Sequence, residues 1–312
     1  MAQLIGIRIG FIGASDKWRW MFWITGIMTI VYALVIGIFL PDNPVKAKFV
    51  SEREKAIAVD RVRADQTGVE NKTFKKEQMI EAFLDPKTWL MFLFNIWISI
   101  PNGGLTNFSP LIINGLGYTA QRSTLLTMPT GIIQTVSSYM CNGAVFLLVK
   151  YGGNKQVRGG IVIFGCLVGM ISSVFLYTLS LENLKGRLAA LYMSYFYLGP
   201  YIVGLGMNTA NTAGHTKKVT TNALIFIAYC VSNIVAPQFF KSDQAPLYPL
   251  GMGAILGSYV LSIMTMIAYC SYCHLENRRR NKLDSAAEER IHSDTDFKDL
   301  TDKQNIHFRY VW

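Results

Sequence analysis

Seven apolar stretches alternate with polar ones along this 312-residue chain. They cover residues 18–40, 88–109, 123–149, 159–179, 188–210, 219–240 and 247–273. Each approaches the ~20 apolar residues with which a helix crosses a ~30 Å hydrocarbon layer. A shorter apolar stretch at 1–13 reads as the tail of another span, so the chain is expected to be incomplete at its N-terminus. Only helices or closed barrels satisfy their backbone inside lipid. The pattern therefore predicts an all-α membrane protein with many spans.

The polar stretches have structure of their own. In the loop 41–87, Pro41 and Pro44 stop the first full span, and Ser51-Glu-Arg-Glu54 has the spacing of a capping box. A charged helix is expected from there to about Asp65, ending near Gly68. A second, amphipathic helix is expected over 74–84, ended by Pro86, with Phe74, Met79, Ile80, Phe83 and Leu84 on its apolar side. It would lie on the membrane face or pack on the bundle. The tail 275–312 is polar and reads as mobile, with Arg278-Arg-Arg280 at the bilayer surface. Its last stretch, from Asp299, regains aromatics and is expected to dock back.

Charge gives the orientation. With loops taken alternately, one side holds 23 Lys and Arg and the other 6, Arg8 lying in the first short stretch. The basic side is the cytosolic one, which puts 41–87 and the C-terminus in the cytosol. The net charge of +10 is then a consequence of topology and calls for no nucleic-acid partner. The cysteines, Cys141, Cys166, Cys230, Cys270 and Cys273, all lie in spans and read as small buried residues rather than a disulfide framework. The Cys270-Ser-Tyr-Cys273 spacing lacks the βαβ context of a redox motif. No pattern calls for a metal, a cofactor or a catalytic group.

Polar side chains concentrate on four spans. Asn95, Ser99, Asn102 and Thr106 share one helical face, and Pro101 with Gly103-Gly104 is expected to interrupt that helix beside a cavity. Thr127, Thr130, Gln134, Ser138 and Cys141 form a second stripe. Tyr197, Tyr201, Gly204, Asn208 and Asn211 form a third, and Asn222, Tyr229 and Asn233 a fourth. The spans 159–179 and 247–273 carry instead the small-residue steps Gly165-x-x-x-Gly169 and Gly253-x-x-x-Gly257, which suit close helix packing. Amides in hydrocarbon are costly unless they face protein or water. Asn102, Gln134, Tyr197, Tyr229 and Asn233 are therefore the candidate substrate-binding residues. All 20 Asp and Glu lie outside the spans, so the carboxylate relay common in proton-coupled transport is missing from them.

Several segments together resemble the fungal allantoate permease-like family, in the anion:cation symporter branch of the major facilitator superfamily. They are Leu40-Pro-Asp-Asn-Pro44 with the capped helix after it, Pro101-Asn-Gly-Gly-Leu-Thr-Asn-Phe108, Asn208-Thr-Ala-Asn-Thr-Ala-Gly-His215, and the terminal Asp-Leu-Thr-Asp-Lys-Gln-Asn run. The resemblance covers nearly the whole chain. It implies a helical bundle of twelve spans in two halves. Residues 1–40 would then be a remnant of the N-terminal half (the end of span 5, and span 6), 41–87 the central cytosolic loop, 88–274 the C-terminal six-span bundle and 275–312 the cytosolic tail. The polar stripes would fall on spans 7, 8, 10 and 11. The short loop Tyr151-Gly-Gly-Asn-Lys-Gln-Val-Arg158 departs from the superfamily pattern, with Asn154 where an acidic residue is usual. Ser232-Asn-Ile-Val-Ala-Pro237 matches a substrate-binding Asn-before-Pro pattern of span 11 and puts Asn233 first among the site residues. The implied function is a plasma-membrane transporter in the lipid bilayer, symporting a small organic anion, allantoate or a related ureido acid, with a proton. Nicotinate or pantothenate are alternative cargoes. A receptor-like protein that binds without transporting, and a chain inactive by itself, also stay open.

Overall fold

The computed structural model describes residues 17–41, 51–55, 73–153, 156–180, 182–284 and 299–312, with positions 47, 49 and 57. Among them the regular structure is helical. We number the helices α1 (Lys17–Phe39), α2 (Lys76–Leu84), α3 (Pro86–Gly115), α4 (Ala120–Leu126), α5 (Pro129–Gly152), α6 (Arg158–Thr178), α7 (Leu184–Ser194), α8 (Leu198–Ala210), α9 (His215–Val235) and α10 (Pro249–Asp284). Arg8, the 1–13 stretch, Asn154 and the expected helix end near Asp65 lie outside the described residues.

Local sequence sets the helix boundaries. The capping box is present: Ser51 N–H donates to Glu54 at 2.9 Å, and Glu54 N–H to Ser51 Oγ at 3.3 Å. The Ser51 N–H, together with the Ser51 hydroxyl donating to the same carboxylate at 2.8 Å, holds the Glu54 carboxyl below its ordinary pKa. Asp85 caps α3 through the Lys87 N–H at 3.2 Å, with Pro86 in the first turn, where a missing N–H costs nothing. Asn183 caps α7 through the Gly186 N–H at 3.0 Å. Gly153, at φ 65°, closes α5 in the left-handed conformation that glycine adopts freely.

Six helical runs are long and apolar enough to cross a membrane: Phe22–Phe39, Ala120–Gly152, Arg158–Thr178, Leu184–Ala210, His215–Phe239 and Pro249–Leu283. They match six of the seven predicted spans. The seventh, 88–109, lies in the 30-residue α3, where the Asn, Ser and Pro of its polar stripe dilute the apolar content. No residue of the α1 window is buried, so its apolar surface is left for lipid or other helices.

Three expectations need correction. First, α3 is not interrupted: it runs unbroken through Pro101 and Pro110. The breaks fall elsewhere, at Thr127–Met128 between α4 and α5, at a 3₁₀ turn Tyr195–Tyr197 between α7 and α8, and at a 3₁₀ turn Ala236–Phe239 after α9. Pro129, the first residue of α5, and Pro237, the second of its turn, explain two of them, since neither has an N–H to continue a preceding hydrogen-bond ladder. Second, the tail is not irregular from 275 onward; α10 continues to Asp284. Arg280, expected at the bilayer surface, is buried and donates to the carbonyls of Asn305 and Phe308. Third, only one of the two small-residue steps makes a close contact. A Cβ on Gly169 would lie 2.6 Å from the Tyr259 ring and one on Gly165 2.9 Å from Pro200, whereas Gly253 and Gly257 face nothing within 4 Å.

The core forms where α3 packs on α9 and α10, α6 on α7 and α10, and α8 on α5 and α6. One end of the bundle is closed by aromatics: the Phe108 and Phe240 rings stack at 4.6 Å, with Tyr248 at 5.8 Å from Phe240. The other end gathers α2, the starts of α3 and α9, the end of α10 and residues 299–312. Of the two placements expected for α2, packing of its apolar side on the bundle is not seen; Gln78 and Ala82 are its buried residues. The polar Gln78 is buried, its Oε1 accepting the Thr216 N–H at 3.1 Å, while Phe74, Ile80, Phe83 and Leu84 are exposed. That outer apolar face is the one an interfacial helix turns to lipid.

Candidate functional site

The five residues singled out by the polar stripes come together. Asn102 on α3 is the hub. Its Nδ2 donates to Tyr229 Oη at 3.0 Å and to Asn233 Oδ1 at 3.2 Å, both on α9. Its Oδ1 accepts from Tyr197 Oη at 2.7 Å, in the 3₁₀ turn before α8. Gln134 on α5 donates from Nε2 to that same Tyr197 Oη at 3.1 Å. Asn233 Nδ2 donates back to the Tyr229 carbonyl at 2.8 Å, which fixes its rotamer. Tyr197 is buried, while Asn102, Gln134, Tyr229 and Asn233 are half-buried.

Glycine allows the meeting. A Cβ on Gly103 would stand 2.9 Å from Ala236 Cβ and 3.1 Å from Asn233 Cα. Its absence lets α9 approach α3 closely enough for the amide pair. Ser232 ties the same helices together, donating to the Ile96 carbonyl at 2.8 Å. The Tyr201 and Tyr229 rings, 6.3 Å apart, add an aromatic wall. Among the described residues, no ionised side chain joins this network. It offers amide and phenol hydrogen bonds with aromatic surface, which suits a polar, planar solute group.

The stripes do not converge throughout. Asn95 and Ser99 share Asn102's face in the sequence pattern but are buried in the core, Asn95 donating to the Met91 carbonyl at 2.9 Å. Asn208 bonds Asn222 at 3.1 Å, away from the hub. Asn211 serves the chain terminus: its Oδ1 accepts the Val311 N–H at 2.8 Å, and its Nδ2 donates to the Val311 carbonyl at 2.7 Å.

A second polar centre was not anticipated, although Asp302 lies in the terminal run singled out in the sequence. Asp302 and Lys217 are each 0% exposed, as is Asp85, and Lys87 is 2% exposed. Asp302 accepts from Lys87 at 2.7 Å and from Lys217 at 2.8 Å. Lys217 also reaches Asp85 and Glu81, each at 2.8 Å. Lys87 further donates to the Asn211 carbonyl and sits 4.3 Å over the Tyr310 ring. Burial alone would raise the Asp302 pKa; Lys87 and Lys217 outweigh it and hold the carboxyl below the ordinary carboxylate range. Burial, with Asp302 beside it, pushes the Tyr310 phenol well above its usual value. These charges seat 299–312 on the bundle, and Asn277 exchanges bonds with the Tyr310 backbone at 2.8 and 2.9 Å. The expected docking of the last stretch is thus observed, with an ionic centre rather than aromatics alone.

Residues 1–237 match the family described as the Major Facilitator Superfamily. The chain belongs to that superfamily. It is similar to the MFS-type transporter cnsL of Penicillium expansum, with 41% identity over 96% of this chain and 60% of that protein. It is similar to the allantoate permease of Saccharomyces cerevisiae at 35% identity, covering 96% of this chain and 55% of the permease. The thiamine pathway transporter THI73 of the same yeast is 32% identical over 96% of this chain and 55% of its own length. The chain therefore spans 55–60% of these relatives. Membership of the superfamily and the apolar helices make this a multi-pass membrane protein, and the relatives named here carry transporter names. Its major facilitator helical bundle is the frame on which both polar centres are built.

Proposed function

We propose that this chain is part of a secondary transporter for a small organic anion, with allantoate or a related ureido acid as first candidate, driven by proton symport. The observation that carries the reading is the convergence of Asn102, Gln134, Tyr197, Tyr229 and Asn233, from four separate elements, into one half-buried network. Amides and phenols there would hydrogen-bond a carboxylate or ureido group. The similarity to an allantoate permease supports the choice of cargo.

In this reading residues 88–274 form the C-terminal six-span half and 1–40 a remnant of the other half, with 41–87 between them and 275–312 as the tail. The end bearing Asp302 is cytosolic, as the 23-to-6 basic bias requires, and the membrane is the plasma membrane. Alternating access would come from the two halves rocking about the network. The coupling proton would be carried outside the seven spans, since these hold no carboxylate.

The test is an uptake panel in a full-length homologue carrying the five residues, expressed in cells lacking ureido-acid uptake. Allantoate, nicotinate, pantothenate and thiamine are offered with and without an inward proton gradient. Allantoate uptake that collapses with the gradient is expected. Gradient-independent uptake, or uptake of thiamine alone, would overturn the reading.

A further inference from the structure

Hydrogen-bonding capacity divides the five network residues into two kinds. A side-chain amide has two N–H donors and a carbonyl oxygen with two lone pairs, and a phenol both donates and accepts. Asn102 uses all of its capacity inside the protein. Its Nδ2 donates to Tyr229 Oη at 3.0 Å and to Asn233 Oδ1 at 3.2 Å. Its Oδ1 accepts from Tyr197 Oη at 2.7 Å and from Thr106 Oγ1 at 3.3 Å. Tyr197 is likewise engaged both ways, donating to Asn102 and accepting from Gln134 Nε2 at 3.1 Å, and it is the buried member of the five. These two residues brace the network.

The other three keep unused groups. Tyr229 Oη accepts from Asn102, and its own O–H has no acceptor among the described residues. Asn233 Nδ2 donates once, to the Tyr229 carbonyl at 2.8 Å, and keeps its second N–H. Gln134 spends one N–H on Tyr197 and keeps the other, and its Oε1 has no donor among the described residues. All three are half-buried. What is left over differs between the two walls. On α9, Tyr229 and Asn233 are i,i+4 neighbours on one face and present two donors, beside one remaining lone pair of Asn233 Oδ1. On α5, Gln134 presents a donor and an acceptor together. A carboxylate only accepts, and bonds to it from neutral donors are charge-assisted, whereas a ureido or carboxamide group donates and accepts at once. Three hydrogen bonds, of 3.1, 2.7 and 3.0 Å, link Gln134 to Tyr229 through Tyr197 and Asn102, so the two walls stand within the reach of one small molecule.

We propose that the network takes a cargo with a carboxylate at one end and a ureido or carboxamide group at the other, the carboxylate on Tyr229 and Asn233 and the ureido group on Gln134. This orientation rests on the reading of the network as a cargo site under Proposed function. It makes Gln134 the residue that chooses among organic anions. A simple carboxylate satisfies the α9 wall and leaves the Gln134 amide unpaired; a neutral urea satisfies Gln134 and leaves the α9 donors without their charged acceptor.

The test measures dissociation constants by saturation-transfer NMR on the 312-residue chain in detergent, with solutes of matched shape. N-carbamoylglycine carries both groups, isocaproate only the carboxylate and N-isobutylurea only the ureido group. N-carbamoylglycine should bind about tenfold or more tighter than either of the others. Gln134→Leu should abolish its preference over isocaproate and keep its preference over N-isobutylurea. Tyr229→Phe should do the reverse, shrinking the preference over N-isobutylurea alone. Gln134→Met, unbranched like glutamine, repeats the first substitution where leucine disturbs the packing of α5. A bracing role without contact to cargo would shift both preferences together. That result would overturn the proposal, as would equal affinities for N-carbamoylglycine and isocaproate in the unsubstituted chain, or no binding of N-carbamoylglycine. Uptake and its gradient dependence in the full-length homologue decide the transport reading separately, so either can fail alone.

Discussion

At Asp302 two ammonium groups meet one carboxylate where water has no access. Removing one partner of such a buried arrangement costs about 3–5 kcal/mol; Lys217 keeps Asp85 and Glu81, but the buried Lys87 loses its close carboxylate. Asp302→Asn should therefore loosen residues 299–312, raising their amide hydrogen exchange about a hundredfold or more. The pH dependence follows from the lowered pKa. A depressed carboxyl contributes its full stability above its unfolded value of about 4 and loses it as pH falls through its own lower value. Docking of 299–312 should thus be unchanged between about pH 5 and pH 8. Release within that range would contradict the assignment. The sequence could not disclose this centre. Asp85, Lys87, Lys217 and Asp302 each look like an ordinary loop or tail charge, and their partners lie up to 215 residues away. The amide–tyrosine residues were legible for the opposite reason: Asn102, Gln134, Tyr197, Tyr229 and Asn233 are conspicuous against apolar spans, where each polar group needs a partner.

Helices were legible in outline and not in their breaks. Hydropathy finds the seven stretches because lipid imposes both length and apolarity. It does not say that α3 stays continuous through Pro101 while the chain turns 3₁₀ at Tyr195–Tyr197, since neighbouring helices decide where freed backbone groups find partners. Small-residue steps mislead similarly: the same spacing serves a tight contact at Gly169 and faces open space at Gly257. That contrast gives a paired prediction. Gly169→Ala drives a methyl into the buried Tyr259 ring, whose hydroxyl donates to the Ser194 carbonyl at 3.1 Å. It should destabilise the α6–α10 contact by about 1–3 kcal/mol. Gly257→Ala meets no neighbour and gains helix propensity of up to about 1 kcal/mol. Thermal melts in detergent should move in opposite directions; a fall for both would show that Gly257 is packed as well.

In the whole molecule, two polar centres share one bundle. The half-buried network lies where α3, α5, α9 and the 3₁₀ turn before α8 meet, and the ionic centre closes the end toward which α5 and α8 run. If the first binds cargo, its residues act on affinity; if it only braces the bundle, they act on folding. The measurement that separates these most directly is uptake kinetics of Asn233→Ala in a full-length homologue carrying the five residues, at matched surface expression. Loss of hydrogen bonds to a charged or polar cargo is worth about 1.5–3 kcal/mol, so the KM for the transported anion should rise about tenfold or more. An unchanged KM with normal surface expression would contradict the account.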